Sequence, residues 1–121
     1  LDVGKVINLS IARGQVAGAI QMALGFATSE GFSFNDRGQV LNGSLRTYKL
    51  PRIGSDPKYY IDFVETPQRD GPYGMRGMGE QGVIGIPAAL ANAVSRAIGK
   101  PVNRLPVTAE RAWRVMRGEE A

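Results

Sequence analysis

Glu80 is the side chain whose neighbours best fit it for chemistry. It lies in GMRGMGEQG, Gly74 to Gly82, with glycines at 74, 77, 79 and 82. Glycine accepts positive φ and lets a backbone approach a ligand closely. The loop also places Glu80 a few residues ahead of an expected helix N-terminus. A carboxylate is a weak base at neutral pH. It becomes useful beside an acidic partner, such as water whose pKa a metal has lowered. The plainer alternative is a solvated turn glutamate. Gln15 is a second candidate, expected in the first turns of a helix, where free N–H groups and the positive end of the dipole point outward. A glutamine there can hydrogen-bond a cofactor or simply be a polar surface residue.

Other chemistries are narrowed by what the 121 residues lack. There is no cysteine and no histidine. That excludes a disulfide, a thiolate nucleophile, a Cys/His zinc site and a Ser-His-Asp triad within this chain. Gly77, Gly79 and Gly82 fit the spacing of the dinucleotide fingerprint G-x-G-x-x-G. That fingerprint needs a buried strand before it and an acid about 20 residues after it. The preceding TPQRDGPYGMR contains Pro67 and Pro72, and Lys100 to Asn103 contain no acid. The dinucleotide reading therefore fails. The charge balance is 15 Lys and Arg against 11 Asp and Glu, a net of +4. Arg111, Arg114 and Arg117 share a helical face, which suits a solvated surface or, less readily, nucleic acid. No apolar run reaches the roughly 20 residues of a membrane span.

The elements that must position these groups follow from period and punctuation. Val3 to Ile7 reads as a short strand bent at Gly4 and Lys5. Ser10 is the expected N-cap of a first helix, whose apolar residues recur from Ile11 through Ala27, with Gly31 as its stop. Gly14, Gly18 and Gly25 inside that helix each cost about 1 kcal/mol against alanine, which suggests close packing or a bulky neighbour. Asn35 to Gly38 is a turn. Tyr59 to Glu65 alternates as a strand. Pro87 opens a second helix with Leu90, Ala93, Val94, Ala97 and Ile98 on its apolar side, and Gly99 closes it. Thr108 caps a third, shorter helix running to about Arg117, anchored by Trp113, and the tail GEEA is expected to fray. The sum is an α+β unit: two main helices and a shorter C-terminal helix on a small mixed sheet.

Several segments together resemble one family. DVGKVIN at Asp2–Asn8, GQVAGAIQMALGFATSE at Gly14–Glu30, SLRTYKLPRIGSDP at Ser44–Pro57, GPYGMRGMGEQG at Gly71–Gly82, IPAALANAVSRAIG at Ile86–Gly99 and LPVTAERAW at Leu105–Trp113 are similar, in order, to the C-terminal part of the molybdenum-binding subunit of molybdenum hydroxylases, the xanthine dehydrogenase and aldehyde oxidoreductase family. Leu9, Ala17, Met75, Arg76 and Met78 depart from its commoner residues. The resemblance implies that residues 1–121 are a partial domain of a larger subunit that hydroxylates an aldehyde or N-heterocycle with oxygen from water. It implies Glu80 as the general base, and Gln15 and Gly79 as contacts of the molybdenum–molybdopterin cofactor, in its plain or cytosine-dinucleotide form, with no metal ligand from this chain. The implied partners are the remainder of the subunit and iron–sulfur and FAD subunits or domains, with no membrane. The cytoplasm is the expected compartment, the periplasm an alternative. By itself the chain is expected to be inactive and to self-associate through surface the subunit would cover. A non-catalytic assembly piece and a basic nucleic-acid-binding domain are the alternative functions.

Overall fold

The structure is a computed structural model, and it describes residues 1–119. Three α-helices dominate: α1 at Leu9–Thr28, α2 at Ile86–Ile98 and α3 at Ala109–Arg117. Two single 3-10 turns, Pro72–Gly74 and Glu80–Gly82, lie between α1 and α2.

The cap of α1 lies two residues earlier than expected, at Asn8. Asn8 is extended and its side-chain oxygen accepts the Ile11 amide at 3.1 Å. Ser10 is already helical. Both residue types cap well, and Asn8 comes first along the chain with an extended backbone. The helix also ends before Gly31. The amides of Ser29 and Glu30 both donate to the Gly25 carbonyl, at 3.0 and 2.9 Å, which uses up the acceptor and turns the chain. Gly25 has a steric reason to be glycine, since a Cβ there would collide with the Glu30 carboxylate and meet Pro51. Gly14 and Gly18 have none within this chain, because space beside them is open.

The buried stripe of α1 is Ala12, Val16, Ala19, Ala23 and Ala27, one face at helical spacing. Small side chains there allow α2 and the Glu80–Gly82 turn to lie close against it. A second cluster joins Val102, Val107 and Val115 with Ala91, Val94, Ile98 and Ala112, fastening α3 to α2. The Val107 amide donates to the Ala27 carbonyl at 2.6 Å, tying this cluster to the end of α1. α2 starts at Ile86 with Pro87 in its first turn and stops at left-handed Gly99, φ 71°. On its expected stripe Leu90, Val94 and Ile98 are half-buried, and Ala93 and Ala97 are exposed. In α3 the Thr108 hydroxyl accepts the Arg111 amide at 3.1 Å.

Three expectations are corrected. The small mixed sheet is not present: among the described residues β-pairing is limited to isolated bridges, Asp2 with Val64 and Phe34 with Val40. Both expected strands, Val3–Ile7 and Tyr59–Glu65, lack the run of cross-strand bonds a ladder requires. Left-handed Gly4 (φ 71°) turns the first away after one bridge, and among the described residues the second pairs through Val64 alone. Trp113 is not the anchor of α3. It is 48 % exposed under the Arg117 guanidinium, 4.7 Å from its ring centre, while Val115 is 3 % exposed. The start of the tail is held, with Gly118 left-handed and the Glu119 amide donating to the Arg114 carbonyl at 3.0 Å. Residues 120 and 121, the rest of the tail expected to fray, lie outside the described residues.

Candidate active site

The glycine loop is fixed at its N-terminal end by the start of the chain. The Gly74 carbonyl accepts the amides of Lys5 and Gln68, at 3.0 and 2.9 Å, and the Arg76 amide donates to the Val3 carbonyl at 2.8 Å. Gly74 has φ 77° and is the one loop glycine that needs the left-handed region. Gly77, Gly79 and Gly82 do not adopt it, so the conformational freedom that glycine offers is used for positive φ only at Gly74. Arg76 closes a clasp around this join. Its guanidinium sits 3.2 Å from the Asp2 carboxylate and donates to the Thr66 hydroxyl and carbonyl at 3.0 and 3.2 Å. The Thr66 hydroxyl in turn donates to Asp2. That bond, with the amide of Gly4 donating at 2.9 Å, holds the Asp2 carboxyl below its ordinary value, and Arg76 adds to the effect. Nothing in the residue pattern assigned Asp2 or Thr66 a role. The signal was there in long-range form only, as an acid near the start and a basic residue in the loop.

At its C-terminal end the loop is seated on α1. A Cβ on Gly82 would lie 3.0 Å from the Ala19 Cβ and 3.4 Å from the Val16 carbonyl. Glycine is required here by closeness. Glu80 opens this turn, and the Val83 amide donates to its carbonyl at 2.8 Å. Its side chain is exposed, and among the described residues no hydrogen bond or ion pair engages its carboxylate. The backbone of Glu80 is therefore fastened while its carboxylate stays available.

Gln15 is exposed on α1. Because the helix starts at Leu9, Gln15 lies beyond the first turn, and the unsatisfied amides at the helix start belong to earlier residues. Its side chain lines a largely apolar cavity of ≈ 280 Å³, together with Asn8, Ile11, Met75, Gly77 and Met78. Gln15 and the first half of the glycine loop are thus brought together. Gly79 and Glu80, the next residues along, do not line that cavity. The Gly79 amide is already engaged, donating to the Gln81 side chain at 2.6 Å. Among the described residues no three of Asp, Glu, His and Cys gather to hold a metal ion.

The three C-terminal arginines do not form an open basic stripe. Arg114 pairs with Glu110 at 2.6 Å, Arg117 with Glu119 at 2.5 Å, and Arg111 donates to the Pro106 carbonyl at 2.6 Å. None of the helices among the described residues is long and apolar enough to cross a membrane.

Gln15 thus shares an apolar hollow with residues 75–78 of the glycine loop, and the Glu80 carboxylate lies outside its lining. Residues 1–57 match the molybdopterin cofactor-binding domain. The wider comparison covers nearly the whole chain. It is 33% identical over 120 residues to the nicotine 6-hydroxylase large subunit of Paenarthrobacter nicotinovorans, covering 97% of this chain and 15% of that protein. It is 36% identical over 110 residues to an aldehyde oxidoreductase molybdenum-binding subunit of Escherichia coli, covering 89% and 15%. Its fold superposes on the crystal structure of quinoline 2-oxidoreductase from Pseudomonas putida with a TM-score of 0.89 at 34% identity, covering 96% and 15%. The chain belongs to the molybdenum-binding subunits of the xanthine dehydrogenase and aldehyde oxidoreductase family, and spans about 15% of the length of these relatives.

Proposed function

We propose that this chain is the part of a molybdenum-cofactor-dependent hydroxylase that supplies the general base, Glu80, for oxidation of an aldehyde or N-heterocycle with oxygen from water. The observation that carries the reading is the contrast at Glu80, whose backbone is seated on α1 through Gly82 while its carboxylate is exposed and, among the described residues, has no hydrogen-bond or ion-pair partner. The similarity to relatives named for a nicotine hydroxylase, an aldehyde oxidoreductase and a quinoline oxidoreductase supports the reaction class.

The cofactor, when bound, supplies the redox chemistry, which carboxylates and amides cannot. Gln15 fits it by chemistry: one planar amide offers both a donor and an acceptor at the edge of an apolar hollow. Gly79 is proposed as a second contact through its open flank, where nothing lies within 4 Å of the Cβ position, because its amide is occupied. Glu80 takes up a proton at its carboxylate as oxygen is added to the substrate carbon. A base with no competing partner is free to meet that proton directly, provided it comes within hydrogen-bond reach.

The remainder of the subunit, with iron–sulfur and FAD subunits or domains, would complete the enzyme in the cytoplasm. Without them the chain is expected to be inactive, since it holds only one side of a pocket. Exposed Ile84 and Leu45, 81% and 80% accessible, favour contact with those missing parts, or self-association in their absence. The same surface is what a non-catalytic assembly piece would use. Nucleic-acid binding is less supported, because the C-terminal arginines are occupied locally.

The test is Glu80→Gln in the assembled, cofactor-loaded enzyme. Loss of a general base lowers kcat by about 10²–10⁴-fold, with cofactor content unchanged. Full hydroxylase activity in the Gln variant would refute the assignment, and point to the assembly reading.

A further inference from the structure

We infer that Gln81 is a positioning residue for Glu80, an inference that rests on Glu80 being the base. The Gln81 side chain folds back over the loop. Its carbonyl oxygen accepts the Gly79 amide at 2.6 Å, and its amide nitrogen donates to the Gly77 carbonyl at 2.8 Å. The segment it bridges is the least constrained part of the loop. Neither Gly77 nor Gly79 has anything within 4 Å of its Cβ position, and glycine has the widest backbone freedom of any residue.

The other fixings do not reach this segment. The Arg76 clasp ends at Arg76, and the seat on α1 begins at Gly82. Between them the Gln81 bridge is what closes residues 77–79 into a defined shape. A catalytic group must be held near its productive geometry, since a misplacement of about 1 Å costs on the order of 10²-fold in rate. Bridging a carbonyl and an N–H takes a group that donates and accepts at once, as a primary amide does. Glutamate keeps only the acceptor, and leucine has neither.

The test compares Gln81→Leu and Gln81→Glu with the parent in the assembled, cofactor-loaded enzyme, by amide hydrogen exchange at residues 77–80 and by kcat and KM. Losing a hydrogen bond worth about 1 kcal/mol speeds exchange at the Gly79 amide by roughly 5-fold or more. Gln81→Leu is expected to show that rise, with kcat down about 10-fold or more and KM nearly unchanged. Gln81→Glu keeps the acceptor, so its Gly79 amide stays protected and its kcat falls less. Unchanged exchange at Gly79 in Gln81→Leu overturns the bridge. Raised exchange with unchanged kcat overturns the positioning role. Glu80→Gln, measured alongside, separates the two ideas: an active Glu80→Gln sinks the base reading, whereas an inactive one beside a fully active Gln81→Leu sinks this inference alone.

Discussion

Replacing Gly82 with alanine probes the contact that seats the glycine loop on α1. The new methyl would lie 3.0 Å from the Ala19 Cβ, 3.4 Å from the Val16 carbonyl oxygen and 3.6 Å from a Val16 methyl. Carbon atoms in good contact are about 3.5–4.0 Å apart, so the first of these distances overlaps by several tenths of an ångström. Ala19 cannot rotate aside, because its Cβ is fixed by the backbone of α1. The turn must shift or the strain must stay, at about 1–3 kcal/mol for overpacking. Alanine offsets about 0.4–1 kcal/mol by restricting the unfolded chain. A net loss centred on about 1.3 kcal/mol, within a span of about 0–2.6 kcal/mol, is expected. Urea unfolding reads it as a lower midpoint at constant slope. Gly77→Ala is the control, since open space surrounds that position and its φ is not positive. The double variant Ala19→Gly with Gly82→Ala removes the colliding methyl and should show coupling of about 0.5–3 kcal/mol. If Gly82→Ala is as stable as Gly77→Ala, or if the pair is additive, the loop is not seated by this contact.

The open glycines of α1 predict the opposite sign. Gly18→Ala should stabilise the chain by about 1 kcal/mol, as expected in a helix interior, because nothing within 4 Å opposes a Cβ. The same change should weaken assembly with the rest of the subunit if this face is covered there, and a pull-down titration against that portion would detect it. The Asp2 clasp predicts an acid limb. Hydrogen bonds from the Thr66 hydroxyl and the Gly4 amide, with help from Arg76, hold the Asp2 carboxyl below 3.8. A depressed folded-state pKa means the stabilisation is complete above the unfolded value and is lost as pH falls through the lower folded one. Stability measured from pH 5 downward should therefore fall less steeply in Asp2→Asn than in the parent, and identical slopes would show that the clasp contributes nothing.

What the residue pattern revealed, and what it hid, divides by range. Thr108, Gly99 and the end of α3 near Arg117 were legible because caps and stops act on residues three or four positions away. The start of α1 is less legible, because Asn8 and Ser10 are both competent caps and only backbone geometry decides between them. Trp113 departs from expectation because size suggests burial, whereas a tryptophan can stack under a neighbouring arginine at the surface. Glu80 and Gln15 stand out as candidates from type and setting. The Asp2–Thr66–Arg76 clasp could not, since its members lie far apart in the chain. Gln81 is an intermediate case. A long amide two and four residues after flexible glycines is a local signal for a side chain that folds back on the backbone.

The missing sheet belongs to the same account as the exposed site. Tyr59 to Glu65 alternates like a strand, yet among the described residues it finds one bridge, Val64 with Asp2, and leaves Tyr60 and Val64 exposed. An unpaired strand edge is a template for another strand. The residues buried most fully here are alanines and valines, while Leu45, Ile53, Tyr60 and Ile84 face outward. Burial and pairing for these groups must come from other polypeptide if they are to be satisfied at all. The loop that carries Glu80 differs in kind, because the Arg76 clasp, the Gln81 bridge and the Gly82 seat are all internal to the chain. Those fixings give the proposed base its backbone position before assembly, and the surrounding walls of the pocket would form when the outward-facing apolar groups are covered.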